Sequence, residues 1–326
     1  MALGIGRSAA FAVWRCRVVG MGGWQGLVAA GERRESMSLT VSQYVELCKP
    51  KIGFMIALTA VVAHMAMAER YQVSAILILA SAMLCGSAGS AVVNHFWDRD
   101  IDRRMQRTAR RPLVAGQGHP ARVLWLALLL TVAGAALLVW FFNSVAALHL
   151  LLGTFLYGVV YTIWLKRRTW LNIVIGGSAG SFAVLAGAAS VKPELCTLPV
   201  LMALLLFLWT PSHFWSLAIF LREEYRQVGV PMLPVVIGSA RTARIILLNT
   251  LLMVGVSLLP WVMHELGAIY AVGALLFGLD LLRLNRLLLR QPEDRAVAWR
   301  NFIGSMRYLG GVYLAILLDK NLPFGQ

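Results

Sequence analysis

Asn94-His-Phe-Trp-Asp98-Arg-Asp-Ile-Asp102 is a polar stretch that follows directly on an apolar run, 73–93, long enough to cross a membrane. Asn94, Asp98 and Asp102 recur every four residues, and residues four apart on a helix lie nearly one above the other. An amide and two carboxylates are therefore expected on one side of the end of a membrane helix. Such hard oxygen ligands suit Mg²⁺, which proteins hold with one or two carboxylates together with substrate phosphates.

Arginines follow the acidic stretch and supply the charge that binds a polyanion. A guanidinium group binds phosphate through two parallel hydrogen bonds. Carboxylates for a metal followed by arginines for phosphate predict a diphosphate site, and the membrane setting indicates an isoprenoid diphosphate. These arginines are Arg103, Arg104, Arg107, Arg110 and Arg111.

The composition indicates a helical membrane protein. Of 326 residues, 59% are hydrophobic and 14% are charged, and the mean hydropathy is +0.71, far from the balance of soluble proteins. We predict an all-α, polytopic membrane bundle of about nine transmembrane helices, with kinks at Pro211 and Pro260. The expected spans are approximately 52–68, 73–93, 121–142, 144–165, 171–191, 198–220, 244–263, 266–284 and 302–318.

The positive charges predict how these spans are oriented. All but four of the 30 lysines and arginines fall in the N-terminal arm or in loops that an odd number of spans places on the same face. Arg70, Lys192 and Lys320 lie on the opposite face, and Arg307 lies within the last span. The positive-inside rule assigns the basic face to the cytoplasm. The net charge of +15 is thus a topology and lipid-surface signal, and we expect no nucleic-acid partner.

Residues 1–43 are expected to form a basic N-terminal arm, either disordered or lying partly before the true start, with the membrane domain over 44–326. The first 36 residues contain five arginines and no acid before Glu32, with Met37 as an alternative start. A mitochondrial presequence has a similar composition. We expect a multi-pass protein of the bacterial inner membrane with its site facing the cytoplasm, and the mitochondrial inner membrane is the alternative.

A second polar segment emerges on the same face at the end of the sixth span. His213 lies within an apolar run there, and Glu223 and Glu224 follow it. A polar side chain inside an apolar span faces protein or a cavity and not lipid. His213 is therefore either a packed, hydrogen-bonded histidine or one aimed at a cavity, able to bind a porphyrin or act as a base. The glutamates are either oxygen ligands and arginine partners or a solvated helix end.

A third basic segment, Lys166-Arg-Arg168, lies on this face between the fourth and fifth spans. It serves either as ordinary positive-inside anchoring or as part of the anion site. Asn172 and the small residues that follow it permit close helix packing.

With these motifs the chain resembles the intramembrane prenyltransferases of the UbiA superfamily, and within it the branch that uses heme. The likeness runs from about Tyr44 to the last span, and Asn94-x3-Asp98-x3-Asp102 matches the first acidic motif of the superfamily. His213 and Glu224-Tyr225 stand where the aromatic-acid branch has a second aspartate-rich motif. The most specific runs are Asp98-Arg-Asp-Ile-Asp102 with Arg107-Thr and Arg111-Pro-Leu, Leu165-Lys-Arg with Asn172-Ile-Val-Ile-Gly-Gly, and Trp209-Thr-Pro-Ser-His213-Phe-Trp through Val230-Pro-Met-Leu-Pro.

The resemblance implies transfer of a farnesyl group from farnesyl diphosphate to the vinyl group of protoheme IX (heme B), giving heme O for terminal oxidases. It implies Mg²⁺ held by Asn94, Asp98 and Asp102, with the two aspartates and His213 as catalytic residues. Residues expected to bind substrate are Asn94, Arg103, Arg107, Arg110, Arg111, Lys166, Glu224 and Tyr225.

The expected partners are both substrates, the lipid bilayer, and heme A synthase or oxidase assembly factors. Two other functions remain open at this point. One is prenylation of an aromatic acid of the 4-hydroxybenzoate type, which His213 and the missing second aspartate motif disfavour. The other is a non-enzymatic membrane transporter or scaffold, because intramembrane acids also mark ion pathways.

The chain departs from the family pattern on its fifth span. The family usually has a Pro-Pro pair and a Gly-Trp step there, whereas this chain has Ala183-Val184 and Gly187-Ala188. The difference either reshapes the helix alone or alters the pocket for the acceptor, and it bears on the identity of the acceptor more than on the class of reaction.

Overall fold

The computed structural model describes residues 39–322, and within that range the chain is helical and contains no strand. The expected N-terminal arm lies largely outside the described residues. Its last part enters the first helix, which begins at Val41.

The helices are numbered here in chain order, and one π-helical stretch, the π segment, continues the sixth. They are α1 (Val41–Leu47), α2 (Pro50–Met67), α3 (Val73–Trp97), α4 (Arg99–Arg104), α5 (Pro120–Phe141), α6 (Ser144–Phe155), the π segment (Leu156–Leu165), α7 (Asn172–Ala189), α8 (Thr197–Phe220), α9 (Arg222–Gln227), α10 (Leu233–Ile237), α11 (Ser239–Ser257), α12 (Leu259–Val262), α13 (Ala268–Arg290) and α14 (Arg295–Asn321).

Eight helical stretches of the described chain are long and apolar enough to cross a membrane. They are α2, α3, α5, α6 with the π segment, α7, α8, α11 with α12, and α14. A ninth long helix, α13, has 23 residues but carries Asp280, Arg283 and Arg286 in its second half. Large apolar side chains such as Trp140 and Leu248 are exposed on the outside of the bundle, where lipid replaces water. The chain is a multi-pass, all-α membrane protein, as its composition predicts.

Consecutive long helices run in opposite directions. At one end of the bundle, Arg222 after α8 forms an ion pair with Glu293 before α14, with 3.0 Å between Nη1 and Oε2. At the other end, the side chain of Asn143 before α6 donates a 2.7 Å hydrogen bond to the carbonyl of Ala189 at the end of α7. The loops therefore sort into two sets, and the acidic stretch after α3 lies at the first end.

Local sequence signals account for several helix ends. Thr40 and Gln43 form a capping box at the start of α1, and the Asp294 carboxylate accepts from two backbone N–H groups at the start of α14. The seventh span breaks at Leu258, between α11 and α12, and Pro260 is the second residue of α12. Helix α8, in contrast, continues through Pro211.

The fifth-span residues that depart from the family pattern lie in α7 and pack inside the helical bundle. Helix α7 is continuous, and Ala183, Val184 and Ala188 are buried. Gly187 lies so close to α2 that a Cβ atom would sit 2.0 Å from the carbonyl oxygen of Ala60. Only a residue without a side chain allows that approach.

Candidate active site

The three oxygen-bearing residues of the acidic stretch stack at the end of α3. Backbone hydrogen bonds run from the Asp98 N–H to the Asn94 carbonyl at 3.0 Å and from the Asp102 N–H to the Asp98 carbonyl at 2.8 Å. The four-residue repeat thus passes through the junction of α3 and α4 without a break. Asn94, Asp98 and Asp102 are all buried, and the Asn94 amide donates to Asp98 Oδ2 at 2.7 Å. We call these three residues the acidic ladder.

Each member of the acidic ladder contacts a cation from a different part of the chain. Lys49 Nζ donates to Asn94 Oδ1 at 2.5 Å. Lys166 Nζ forms an ion pair with Asp98 Oδ2. Arg111 Nη1 lies 2.5 Å from Asp102 Oδ2.

Lys49 lies immediately before α2, the first span, and is its N-cap residue. Its backbone adopts a left-handed conformation, with φ of 48°, which is uncommon for a residue with a side chain. Burial and the charges of Arg111 and Lys166 lower the pKa of its ammonium group to about 7, although Asp98 and Asp102 act in the opposite direction. The repulsion arises because all three cations contact the same short ladder.

The π segment delivers Lys166 to the acidic ladder. Its wider turn pairs the Lys166 N–H with the Tyr161 carbonyl, five residues earlier, at 2.9 Å. Thr162 Oγ1 donates to the Tyr157 carbonyl at 2.8 Å and accepts from the Asn94 amide at 3.1 Å. The rings of Tyr157 and Tyr161 stack with centroids 5.5 Å apart. Segments of π-helix are rare and frequently occur at functional sites. No sequence pattern used above indicated this one.

Arg167 holds a carboxylate on the outer side of the same helix end. Its Nη1 and Nη2 lie 2.7 Å from the two carboxylate oxygens of Asp100, and Nη2 also donates to the Trp97 carbonyl at 2.9 Å. Partial burial acts to raise the pKa of Asp100, but the hydrogen bonds and charge of Arg167 outweigh it and leave the pKa below its ordinary value.

The second polar segment approaches the first through α9. Burial raises the pKa of the Tyr225 phenol, while the charges of Lys166 and Arg107 lower it and that of Asp98 raises it. Tyr225 packs against the buried apolar cluster that contains Ile101, the residue before Asp102. Glu224 Oε2 is buried and has no hydrogen-bond partner within residues 39–322.

Not all predicted anion-binding arginines reach the acidic ladder. Arg103, Arg107 and Arg110 are exposed, and within the described part of the chain none of them forms an ion pair. Arg111 alone of the predicted set contacts the ladder directly. Glu223 is exposed and pairs with Arg226 at 3.2 Å, which is the solvated helix end that its sequence position also allowed.

His213 is stacked between aromatic rings on the face of α8 that meets α14. The ring centroids of Trp209 and Phe302 lie 4.1 and 4.4 Å from that of His213. Its Nδ1 lies 2.7 Å from Ser305 Oγ, and that hydroxyl donates its single proton to the Phe302 carbonyl at 2.6 Å. With the hydroxyl proton directed to Phe302, this hydrogen-bond network assigns the imidazole proton to Nδ1 and the lone pair of a neutral imidazole to Nε2.

The donor set of the acidic ladder fits a hard divalent cation. No group of three or more His, Cys, Asp and Glu side chains able to hold a metal occurs among the described residues, because this site consists of two carboxylates and an amide. Asp98 Oδ1 is buried without a hydrogen-bond partner within 39–322, which leaves one oxygen available as a ligand. Mg²⁺ takes one or two carboxylates and fills its remaining positions with water and phosphate oxygens.

A buried acidic ladder surrounded by cations, at one mouth of a membrane bundle, defines the class of intramembrane prenyltransferases. The UbiA prenyltransferase family matches residues 56–306, and the chain belongs to that family.

Among curated relatives, the chain is 55% identical over 283 residues to protoheme IX farnesyltransferase 1 of Paramagnetospirillum magneticum, covering 87% of this chain and 100% of the relative. It is 42% identical to protoheme IX farnesyltransferase of Azotobacter vinelandii, covering 87% of this chain and 95% of that one.

Solved structures share the fold at low sequence identity. Digeranylgeranylglyceryl phosphate synthase superposes with a TM-score of 0.71 at 19% identity, covering 86% of this chain and 98% of the other. A UbiA homolog from Archaeoglobus fulgidus, bound to GPP and Mg²⁺, gives a TM-score of 0.64 at 16% identity, covering 84% of this chain and 99% of that one.

Proposed function

We propose that this prenyltransferase transfers a farnesyl group from farnesyl diphosphate to the vinyl group of heme B, giving heme O and diphosphate. The observation that carries the class of reaction is the buried acidic ladder with a cation on each member. The acceptor and the length of the prenyl chain are supported by relatives that match this chain at 40–55% identity over most of its length, all named protoheme IX farnesyltransferase.

The acidic ladder would hold Mg²⁺ through the oxygens of Asn94, Asp98 and Asp102. When bound, Mg²⁺ neutralises charge on the diphosphate and makes it a better leaving group. Lys166 and Arg111, which contact the ladder through Asp98 and Asp102, are proposed to bind the diphosphate. Fixed cations in a site shielded from water stabilise the negative charge that builds up as the C–O bond breaks.

The reaction balances with one water molecule. The bond between C1 of the farnesyl group and the diphosphate oxygen breaks, and the electron pair leaves with the diphosphate. The terminal carbon of the heme vinyl group forms a C–C bond with C1. Water then adds to the other vinyl carbon and loses a proton, which gives the hydroxyethylfarnesyl group of heme O. Apolar helix faces around the farnesyl chain protect the allylic cation from early attack by water.

His213 is the proposed residue for the acceptor. Its Nδ1–H is committed to Ser305, so the lone pair on Nε2 is the free group of a neutral imidazole. That lone pair suits either coordination of the heme iron or acceptance of the proton released by water. Glu224 and Tyr225, on the adjacent helix α9, are proposed to bind substrate.

The proposed location is a bacterial inner membrane with the site facing the cytoplasm. The support is the concentration of lysine and arginine at the end of the bundle that holds the site, together with the bacterial origin of the relatives. Heme A synthase or oxidase assembly factors as partners stay a prediction.

The test is mass spectrometry of heme extracted from a bacterial host that lacks its own heme O synthase. Expression of this chain should produce a heme heavier by one farnesyl group and one hydroxyl group, and the variant Asp98→Asn, expressed at the same level in the membrane, should not. Heme B alone in cells expressing the wild-type chain would exclude heme as the acceptor. Prenylated aromatic acid in the same extracts would identify the other branch of the family.

A further inference from the structure

The middle aspartate of Asp98-Arg-Asp-Ile-Asp102 faces away from the acidic ladder. The side chain of Asp100 is 53% exposed, whereas those of Asp98 and Asp102 are 1% and 5% exposed. Asp100 is therefore not available to a metal held by its two neighbours in the motif. Its carboxylate instead binds the guanidinium of Arg167 with both oxygens.

Arg167 connects two separate parts of the site. The same guanidinium that binds Asp100 also donates to the carbonyl of Trp97, the last residue of α3. These three hydrogen bonds join the residue after Lys166 to the junction at which the acidic ladder passes from α3 into α4. A planar ion pair with two parallel hydrogen bonds fixes orientation as well as distance. The contacts of Arg167 with Asp100 and Trp97 therefore set where the backbone at Lys166 lies relative to Asp98.

Arg167 interacts with two carboxylates, closely with that of Asp100 and more distantly with that of Asp98. Arg167 Nη2 lies 3.9 Å from Asp98 Oδ1, a buried ladder oxygen without a hydrogen-bond partner within 39–322. Arg168, the next residue, is exposed and makes no ion pair in the described chain. If this basic loop served only to orient the protein in the membrane, there would be no reason for Arg167 to be paired with carboxylates while the adjacent Arg168 is exposed.

We propose that Arg167 and Asp100 form a positioning pair that holds Lys166 against Asp98 and thereby sets the affinity for the prenyl diphosphate. This proposal rests on the proposed function, in which Lys166 binds the diphosphate. Neither member of the pair needs to touch the substrate.

The pair is tested with purified protein through a cycle of variants, Arg167→Gln, Asp100→Asn and the double variant. Each single variant should raise KM for farnesyl diphosphate and weaken its directly measured binding by about fivefold, because a partly exposed two-pronged ion pair contributes about 1 kcal/mol. The value of kcat should change less than KM. The double variant should be no weaker than the worse single variant, since the two residues act as one unit.

Arg168→Gln is the matched control and should leave both KM and binding unchanged. Arg167→Lys should bind farnesyl diphosphate little better than Arg167→Gln, because an ammonium group cannot hold both carboxylate oxygens and the Trp97 carbonyl together. The proposal would be overturned if the loss of farnesyl diphosphate affinity in the double variant equalled the product of the two single losses. It would also be overturned if Arg168→Gln lost as much affinity as Arg167→Gln. Asp100→Asn replaces an exposed side chain with one of the same size, so it keeps the test valid if Arg167→Gln fails to fold.

The binding measurement separates this proposal from the proposed function. Wild-type protein that binds farnesyl diphosphate but forms no heme O would refute the acceptor and still report on the pair. Unchanged binding in Lys166→Met would remove Lys166 from the diphosphate site and overturn the positioning role with it.

Discussion

Replacing Lys166 with methionine should destabilise the protein through the carboxylate that it leaves behind. The Asp98 side chain is 1% exposed and that of Lys166 is 13% exposed, so water cannot take the place of the ammonium group. Removing one partner of a buried ion pair costs about 3–5 kcal/mol. Asp98 would keep the hydrogen bond from the Asn94 amide at 2.7 Å and a weaker interaction with Arg167, so we expect a loss of about 2 kcal/mol of unfolding free energy.

The decisive comparison is the double variant with Asp98→Asn. An asparagine at position 98 carries no charge, so Lys166→Met should cost much less in that background, and the double variant should recover about 1 kcal/mol or more over Lys166→Met alone. The assay is a reversible denaturant titration in detergent micelles, with Arg168→Gln as the exposed control. Additive losses in the double variant would show that Lys166 and Asp98 do not depend on each other.

Three other predictions concern separate parts of the molecule. Arg111→Ala should weaken the use of farnesyl diphosphate at least tenfold, because charge-assisted bonds to phosphate are worth about 1.5–3 kcal/mol, whereas Arg290→Ala at the exposed end of α13 should be silent; equal KM values for the two variants would contradict the role of Arg111. His213→Ala should abolish heme O formation while farnesyl diphosphate still binds, and parallel loss of folded protein and of both activities would instead identify a packing residue. Gly187→Ala should lower the unfolding free energy by about 2 kcal/mol because two helix backbones must separate, and Gly255→Ala, with open space around it, should not; unchanged stability in the first would mean that α2 and α7 adjust freely.

The acidic ladder could be predicted from the sequence because its information is local. A four-residue repeat fixes which side of a helix three residues share, and the apolar run before it fixes the depth in the membrane. The nine expected spans all overlap long helices for the same reason. Hydropathy alone set the seventh span at 244–263, whereas its helix starts five residues earlier at Ser239, where a polar side chain is buried against protein.

The cations around the ladder could not be predicted in the same way. Contacts of Lys49 with Asn94 and of Lys166 with Asp98 join residues 45 and 68 positions apart, and their partners are chosen by helix packing. The π segment was equally hidden, because its composition is that of any apolar helix and only its hydrogen bonds differ. The residues of the fifth span that differ from the family pattern had been connected with the acceptor pocket. In the structure Gly187 packs against Ala60 of α2, and Ala183, Val184 and Ala188 are buried.

The distribution of the site over the chain has a consequence for biogenesis. Spans enter the membrane in order as the chain is synthesised, and the acidic ladder arrives with the second of them. Lys49 is already present and Arg111 follows within a few residues, but Lys166 emerges only after the fourth span. Until then Asp98 lacks the ammonium group that pairs with it directly in the folded protein, and a carboxylate without its direct ion-pair partner resists entry into the low-dielectric interior. The second span is therefore expected to sit shallow in the bilayer, and to settle to its final depth when the π segment is in place.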